Sequence, residues 1–187
     1  ITANNDPSMT QQFATKAVSA TFTNAYIMRF LEENGVKTSF QGLIGDTNTM
    51  FIVDKCDMIK LECIGRNEAT GSMLDRLPHL KKDNGTLHVF EDPLIEMFLK
   101  TTDRRLEIDG IIHLDGFTDK TEDPFIKNPF ESEWLIYHPK AVDTFLNKTM
   151  LASRILPEGV VMQNVFDKTL EVLVLLSDRF TKEDHRF

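Results

Sequence analysis

The positions Phe13, Ala17, Ala20, Asn24, Ile27, Met28 and Leu31 fall three and four apart and are mostly apolar. That period predicts a helix over 11–33, with Gly35 as the left-handed residue that stops it. Lys37–Leu43 and Thr49–Val53 then read as strands separated by the turn residues Gly42, Gly45, Asp46 and Asn48. Met58–Arg66 reads as a further strand. Ile59, Leu61, Cys63 and Gly65 lie on one side of it, and Lys60, Glu62, Ile64 and Arg66 on the other. A face carrying Glu62 and Arg66 suits a polar cleft better than a core.

Further along, Leu87–Phe90 and Leu94–Leu99 are two apolar runs, set apart by Asp92-Pro93, and the second ends on Lys100. Residues 101–133 are acidic and turn-rich, with Ile108–Leu114 as the expected strand. Two more helices are expected, over 139–154 and 158–180, with Pro157 suited to the first turn of the second. The stretch Leu170–Leu176 is apolar on nearly every side and needs cover. No further sheet follows it in the sequence, so the chain reads as a piece of something larger.

Composition narrows the class. The 187 residues include 21 Lys and Arg against 29 Asp and Glu, a net charge of −8. That balance disfavours a nucleic-acid binder, which needs a basic face to displace phosphate counterions. No apolar run approaches the roughly 20 residues that cross a bilayer, and the opening Ile1–Asp6 is polar, so no membrane and no secretory signal are expected. Cys56 and Cys63 are too few for a disulfide scaffold or a zinc cage, and two free thiols fit a cytoplasmic setting.

One stretch concentrates chemistry. A strand delivers Arg66, a small-residue turn presents Gly71 and the Ser72 hydroxyl, and Arg76 follows one helical turn later. A guanidinium fork, exposed amides and a hydroxyl together suit a phosphate or carboxylate. The same spacing also describes an ordinary strand-to-helix turn with surface arginines. Lys100 is a candidate phosphate contact, and Asp119, Glu122 and Asp123 are candidate neighbours of a magnesium ion, although solvated side chains would look alike. The histidines show no ligand spacing, and there is no nucleophile elbow or Walker-type loop.

The run LECIGRNEATGSMLDR, residues 61–76, resembles the SAICAR synthetase family, in which an Arg, a Gly-Ser pair and a second Arg recur at this spacing. ITANND, FLEENGVKTSF, DKCDMIKLE, PLIEMFLK, DPFI and VFDKTLEVLVLLSDRF resemble further stretches of the family in the right order. Lys60 stands where the family usually has proline, and residues 101–122 are longer than the usual connection. The match corresponds to the central portion of the family pattern, truncated at both ends: the Gly-Lys-rich hairpin before it and the Asp-Phe-Lys strand after it fall outside the chain.

The resemblance implies an α+β, two-lobed, ATP-grasp-like architecture, with an antiparallel small lobe over 1–57 and a larger mixed lobe over 58–187. It implies an ATP- and Mg2+-dependent ligase of purine biosynthesis. Such an enzyme joins carboxyaminoimidazole ribonucleotide (CAIR) to L-aspartate through an acyl phosphate and releases ADP and phosphate. Carried over by position, Arg66 and Ser72 bind CAIR with Arg76 in support. Asp57 and Met58 line the adenine hinge, Lys100 reaches the ATP phosphates, and Asp123 lies near nucleotide and magnesium. Glu62 stands in the cleft, orienting Arg66 or a lysine, and Thr2 and Asn5 lie toward the substrate end. No metal ligand is assigned within the chain, and a homo-oligomer is left open. The alternative is an inactive fragment or a degenerate nucleotide-binding module of the same fold.

Overall fold

The computed structural model describes residues 7–45, 49–82, 85–100, 106–108, 111–114, 123–127, 134–137 and 156–182. The chain divides into two compact units, Ile1–Met58 and Ile59–Phe187.

The first unit holds helix α1 (Pro7–Glu33) and a two-stranded antiparallel sheet of β1 (Phe40–Leu43) and β2 (Phe51–Val53). The helix ends as its sequence requires. Gly35 takes φ 84°, its N–H reaches Glu32 O, and the Val36 N–H reaches back to Leu31 O at 2.9 Å. This is the paired arrangement that satisfies the last carbonyls of a helix. The buried face differs from the one the sequence suggests. Thr21, Ala25 and Leu31 are buried, whereas Ala17, Ala20 and Asn24 are exposed. Small side chains on both faces of α1 leave the period ambiguous by one position, and packing makes the choice.

The second unit is built on an antiparallel sheet of order β3-β4-β7-β8, formed by β3 (Leu61–Glu68), β4 (Val89–Leu99), β7 (Phe125–Lys127) and β8 (Leu135–Tyr137). A separate hairpin pairs β5 (Leu106–Ile108) with β6 (Ile111–Leu114), so the single strand expected there is two. Between β3 and β4 lie the short helix α2 (Ser72–Arg76) and a 3-10 turn at Pro78–Leu80. Strand β4 is continuous through Asp92-Pro93, but its pairing with β3 is interrupted there as the sequence suggests: Leu94 pairs with Arg66 and Val89 with Glu68, with a register shift between them. Proline lacks the N–H of a ladder and is tolerated where one side of a strand is open. The only described pairing on the far side of β4 is at Phe98, five residues away from Pro93.

The last helix, α3 (Met162–Lys182), begins later than expected. Pro157 lies before it, in a turn closed by the Val160 N–H on Pro157 O and carried by Gly159 at φ 81°. Cover for it comes from earlier in the chain: α3 packs on β3 and β4. Met97, Leu99, Ile126, Ile136 and Met162 form the core, with Leu61, Cys63 and Ile95 packed against it. Gly65 allows close approach, since a Cβ there would stand 3.0 Å from Leu173 Cδ2. Asn67 then ties strand to helix through a 2.7 Å bond to Ser177 Oγ. One face of the sheet is thus apolar and helix-covered, and strand alternation sends Glu62, Arg66, Glu96 and Phe98 to the other. The helix expected over 139–154 lies outside the described residues.

Candidate functional site

The register of β3 with β4 sets Arg66 opposite Leu94 and Ile64 opposite Glu96. Arg66 and Glu96 are therefore diagonal neighbours on one face, within reach of long side chains. Arg66 Nε donates to Glu96 Oε2 at 2.8 Å. Arg76, carried in by α2, donates from Nη1 to Oε1 at 2.8 Å and from Nη2 to Oε2 at 3.1 Å. Two guanidiniums thus share one carboxylate, and all three side chains are at most 17% exposed. Arg66 Nη1 also donates to the carbonyl and hydroxyl oxygens of Thr70, tying the arginine to the turn that follows β3. That turn reaches Gly71 at φ 57°, a conformation that favours glycine, and exposes Ser72 at the start of α2. Arg76 is held from a second side, its Cζ lying 5.1 Å and 5.3 Å from the ring centres of Phe98 and Phe125.

Burial of the Glu96 carboxyl works against its ionisation. The hydrogen bonds and charges of Arg76 and Arg66 outweigh that and hold it below the usual carboxylate range. Its charge offsets one of the two guanidiniums, so the cluster keeps one positive charge in excess.

A second cluster stands at the other end of the same strands. Lys100 Nζ lies 2.6 Å from Glu62 Oε2 and 3.0 Å from Asp123 Oδ2. The ladder bond from Leu99 N to Pro124 O places Asp123 beside Lys100, and Lys100 N bonds Lys60 O next to Glu62. The hydrogen bond to Glu62, with help from Asp123, raises the lysine above its usual value against a modest opposing effect of burial. Glu62 therefore orients the lysine and not Arg66; the arginine is held by Glu96. Among the described residues no three His, Cys, Asp or Glu side chains gather into a metal site. The two carboxylates that do meet share Lys100, so the described side chains do not fit a magnesium ion by themselves. Asp119 and Glu122 lie outside the described residues.

Asp57 and Met58 occupy the irregular segment between β2 and β3, where Asp57 is exposed and Met58 is 82% exposed. Thr2 and Asn5 lie outside the described residues. Glu96 is the residue that sequence reasoning missed. Its signal was a lone acid inside the apolar stretch Leu94–Leu99, on the opposite parity from the buried Met97 and Leu99. On the helix-covered side, a groove of about 570 Å³ is lined by Cys63, Val160, Val161, Val165, Thr169 and Val172, among others. It lies on the other face of the sheet from both charged clusters, and burial pushes the Cys63 thiol up, away from reactivity. Both cysteines are free thiols, and no helix among the described residues is long and apolar enough to cross a membrane.

A family model described as SAICAR synthetase matches residues 1–123. The phosphoribosylaminoimidazole-succinocarboxamide synthase of Sulfurisphaera tokodaii is 40% identical over 93 residues, which cover 50% of this chain and 37% of that protein. The Pseudomonas putida protein of the same name is 52% identical over 54 residues, 29% of this chain and 22% of its own length. In fold, the crystal structure of phosphoribosylaminoimidazole-succinocarboxamide synthase from Ehrlichia chaffeensis superposes with a TM-score of 0.57 at 18% identity, over 89% of this chain and 52% of that one. The matched part of this chain thus spans little more than a third of the Sulfurisphaera relative and about half of the Ehrlichia structure.

Proposed function

The chain belongs to the SAICAR synthetase family, and from that membership we propose that it is the central part of an ATP-dependent ligase of purine biosynthesis. The reaction joins the carboxylate of CAIR to the amino group of L-aspartate. A carboxylate is a poor electrophile; transfer of the ATP γ-phosphoryl to its oxygen makes an acyl phosphate and ADP. The aspartate nitrogen then attacks the acyl carbon, phosphate leaves, and the amide remains. Such chemistry asks the protein for positioning and charge, and not for a nucleophile of its own.

The observation that carries this reading is the placement of the two clusters on one sheet face. Glu62, which holds Lys100, and Arg66 are four residues apart on β3, about 13 Å along an extended strand. In this reading Arg66 and Ser72 take the 5′-phosphate of CAIR at one end, and Lys100 takes the ATP phosphates at the other. Asp123 lies beside the incoming nucleotide, and Asp57 and Met58 line the adenine. Thr2 and Asn5 belong to the substrate end. Magnesium supplies charge neutralisation on the ATP phosphates in this class of reaction, and the described residues supply no cage for it.

The test is turnover and binding. A full-length version of the protein should consume CAIR only when ATP, magnesium and aspartate are all present. Arg66→Ala should weaken CAIR binding by about 1.5–3 kcal/mol, the worth of a charge-assisted contact, and leave ATP binding nearly unchanged. Equal CAIR affinity in the variant would remove Arg66 from the phosphate site. Binding of both ligands without turnover would favour the nucleotide-binding module.

A further inference from the structure

Arg66 has three nitrogens, and the structure accounts for two. Nε is bonded to Glu96, and Nη1 to the two Thr70 oxygens. Among the described residues nothing accepts from Nη2, and the exposed Ser72 hydroxyl has no described partner either. Among the described residues, Nη2 is thus the Arg66 nitrogen left for a ligand, on the edge whose direction Glu96 and Thr70 set.

Glu96 is in turn held by Arg76 through both its oxygens, and Arg76 is stacked over Phe98 and Phe125. Those two rings are themselves packed, with centres 4.6 Å apart across β4 and β7. The chain of contacts runs from the aromatic pair to Arg76, to Glu96, to Arg66. An arginine side chain surrenders substantial rotamer freedom when it is held in one geometry. Here that ordering is built in before any ligand arrives, which strengthens binding.

Resting on the reading of Arg66 as the phosphate contact, we infer that Glu96 is a positioning residue: it aims Arg66 at the substrate phosphate, and Arg76 acts by clamping Glu96 and not by touching substrate. A purely electrostatic role for Glu96 makes the opposite forecast. Removing its negative charge would leave two positive charges and strengthen anion binding.

The experiment measures affinity for 5-aminoimidazole-4-carboxamide ribonucleotide and for its nucleoside by calorimetry. The wild-type chain is compared with Arg66→Ala, Glu96→Gln and the double variant, and the readout is the ratio of nucleotide to nucleoside affinity. A general structural defect moves both ligands together; loss of phosphate positioning moves only the nucleotide. Glu96→Gln should lower the ratio about tenfold. The double variant should be no worse than Arg66→Ala alone, because Glu96 acts through Arg66.

A ratio unchanged or raised by Glu96→Gln, or losses that add in the double variant, overturns the inference and leaves the phosphate site standing. A ratio that Arg66→Ala does not lower overturns the phosphate site itself. If Glu96→Gln does not fold, Arg76→Met decides. It keeps an apolar stem over the rings and removes the clamp, so a fall of at least threefold in the ratio supports the relay and no fall overturns it.

Discussion

The two charged clusters on the sheet have inverse composition. Near the α2 turn, two cations share one carboxylate, and all three side chains are nearly buried. At the end of β4, one cation sits between two carboxylates, and both Lys100 and Glu62 are about half exposed. The first keeps a surplus positive charge in a place where water screens it poorly, which suits a fixed anion subsite. The second has a surplus negative charge, and its lysine can leave one carboxylate at little cost. A rigid pair of arginines suits a group that must be held still; a half-solvated lysine suits one that must arrive, react and leave.

The sharpest way to break this contrast is Glu96→Ala. It strands two largely buried guanidiniums and should cost about 3 kcal/mol in urea unfolding, within the range for breaking a buried pair. A loss below about 1 kcal/mol would place the arginine cluster in the same class as the lysine cluster. Next in size is Gly65→Ala, on the opposite face of β3. The added methyl meets Leu173 at 3.0 Å, so about 1–3 kcal/mol of overpacking is expected. The preference for nucleotide over nucleoside should survive, because the register of the front face is untouched; a lost preference would mean the two faces are coupled.

Acid sharpens the contrast through its sign. The folded Glu96 carboxyl titrates below its unfolded value, so its contribution is present above the unfolded value near 4.3 and is lost as pH falls through the lower, folded one. Wild-type stability measured by urea from pH 6 to pH 3 should therefore fall more steeply than that of Glu96→Gln; parallel curves would remove the ion pair from the acid response. Lys100 has the opposite sign, its value being raised, so its contribution is lost only as pH rises past the ordinary lysine range. Smallest of all is Lys100→Met, which should change stability by no more than about 1 kcal/mol, as exposed pairs do, while weakening ATP binding. A larger loss on unfolding would show a structural lysine.

Legibility followed the range of the forces involved. The end of α1 was readable because a left-handed glycine and two backbone bonds are local. The alternation of β3 was readable because residues two apart must share a face. The α1 face was not readable, since alanines on both sides leave its choice to packing. Asp92-Pro93 was readable as a break in pairing, since the ladder between β3 and β4 skips it; that the strand itself continues through it was not. In the candidate site Arg66, Ser72, Arg76, Lys100, Glu62 and Asp123 were all nominated from sequence. Glu62 was left between Arg66 and a lysine, and the structure gives it to Lys100; the partner of Arg66, Glu96, lies 30 residues away and was not nominated.

The sequence by itself determined which residue types lie on which side of β3 and where α1 stops. These follow from backbone geometry and side-chain chemistry within a few residues. Only the tertiary structure decided how the charges pair. The register of β3 on β4 brings Glu96 under Arg66, the pairing of β4 with β7 sets Asp123 beside Lys100, and α3 folds back over Gly65. An electrostatic pair needs two groups within a few ångströms, and that proximity is a property of strand register, which local sequence does not contain.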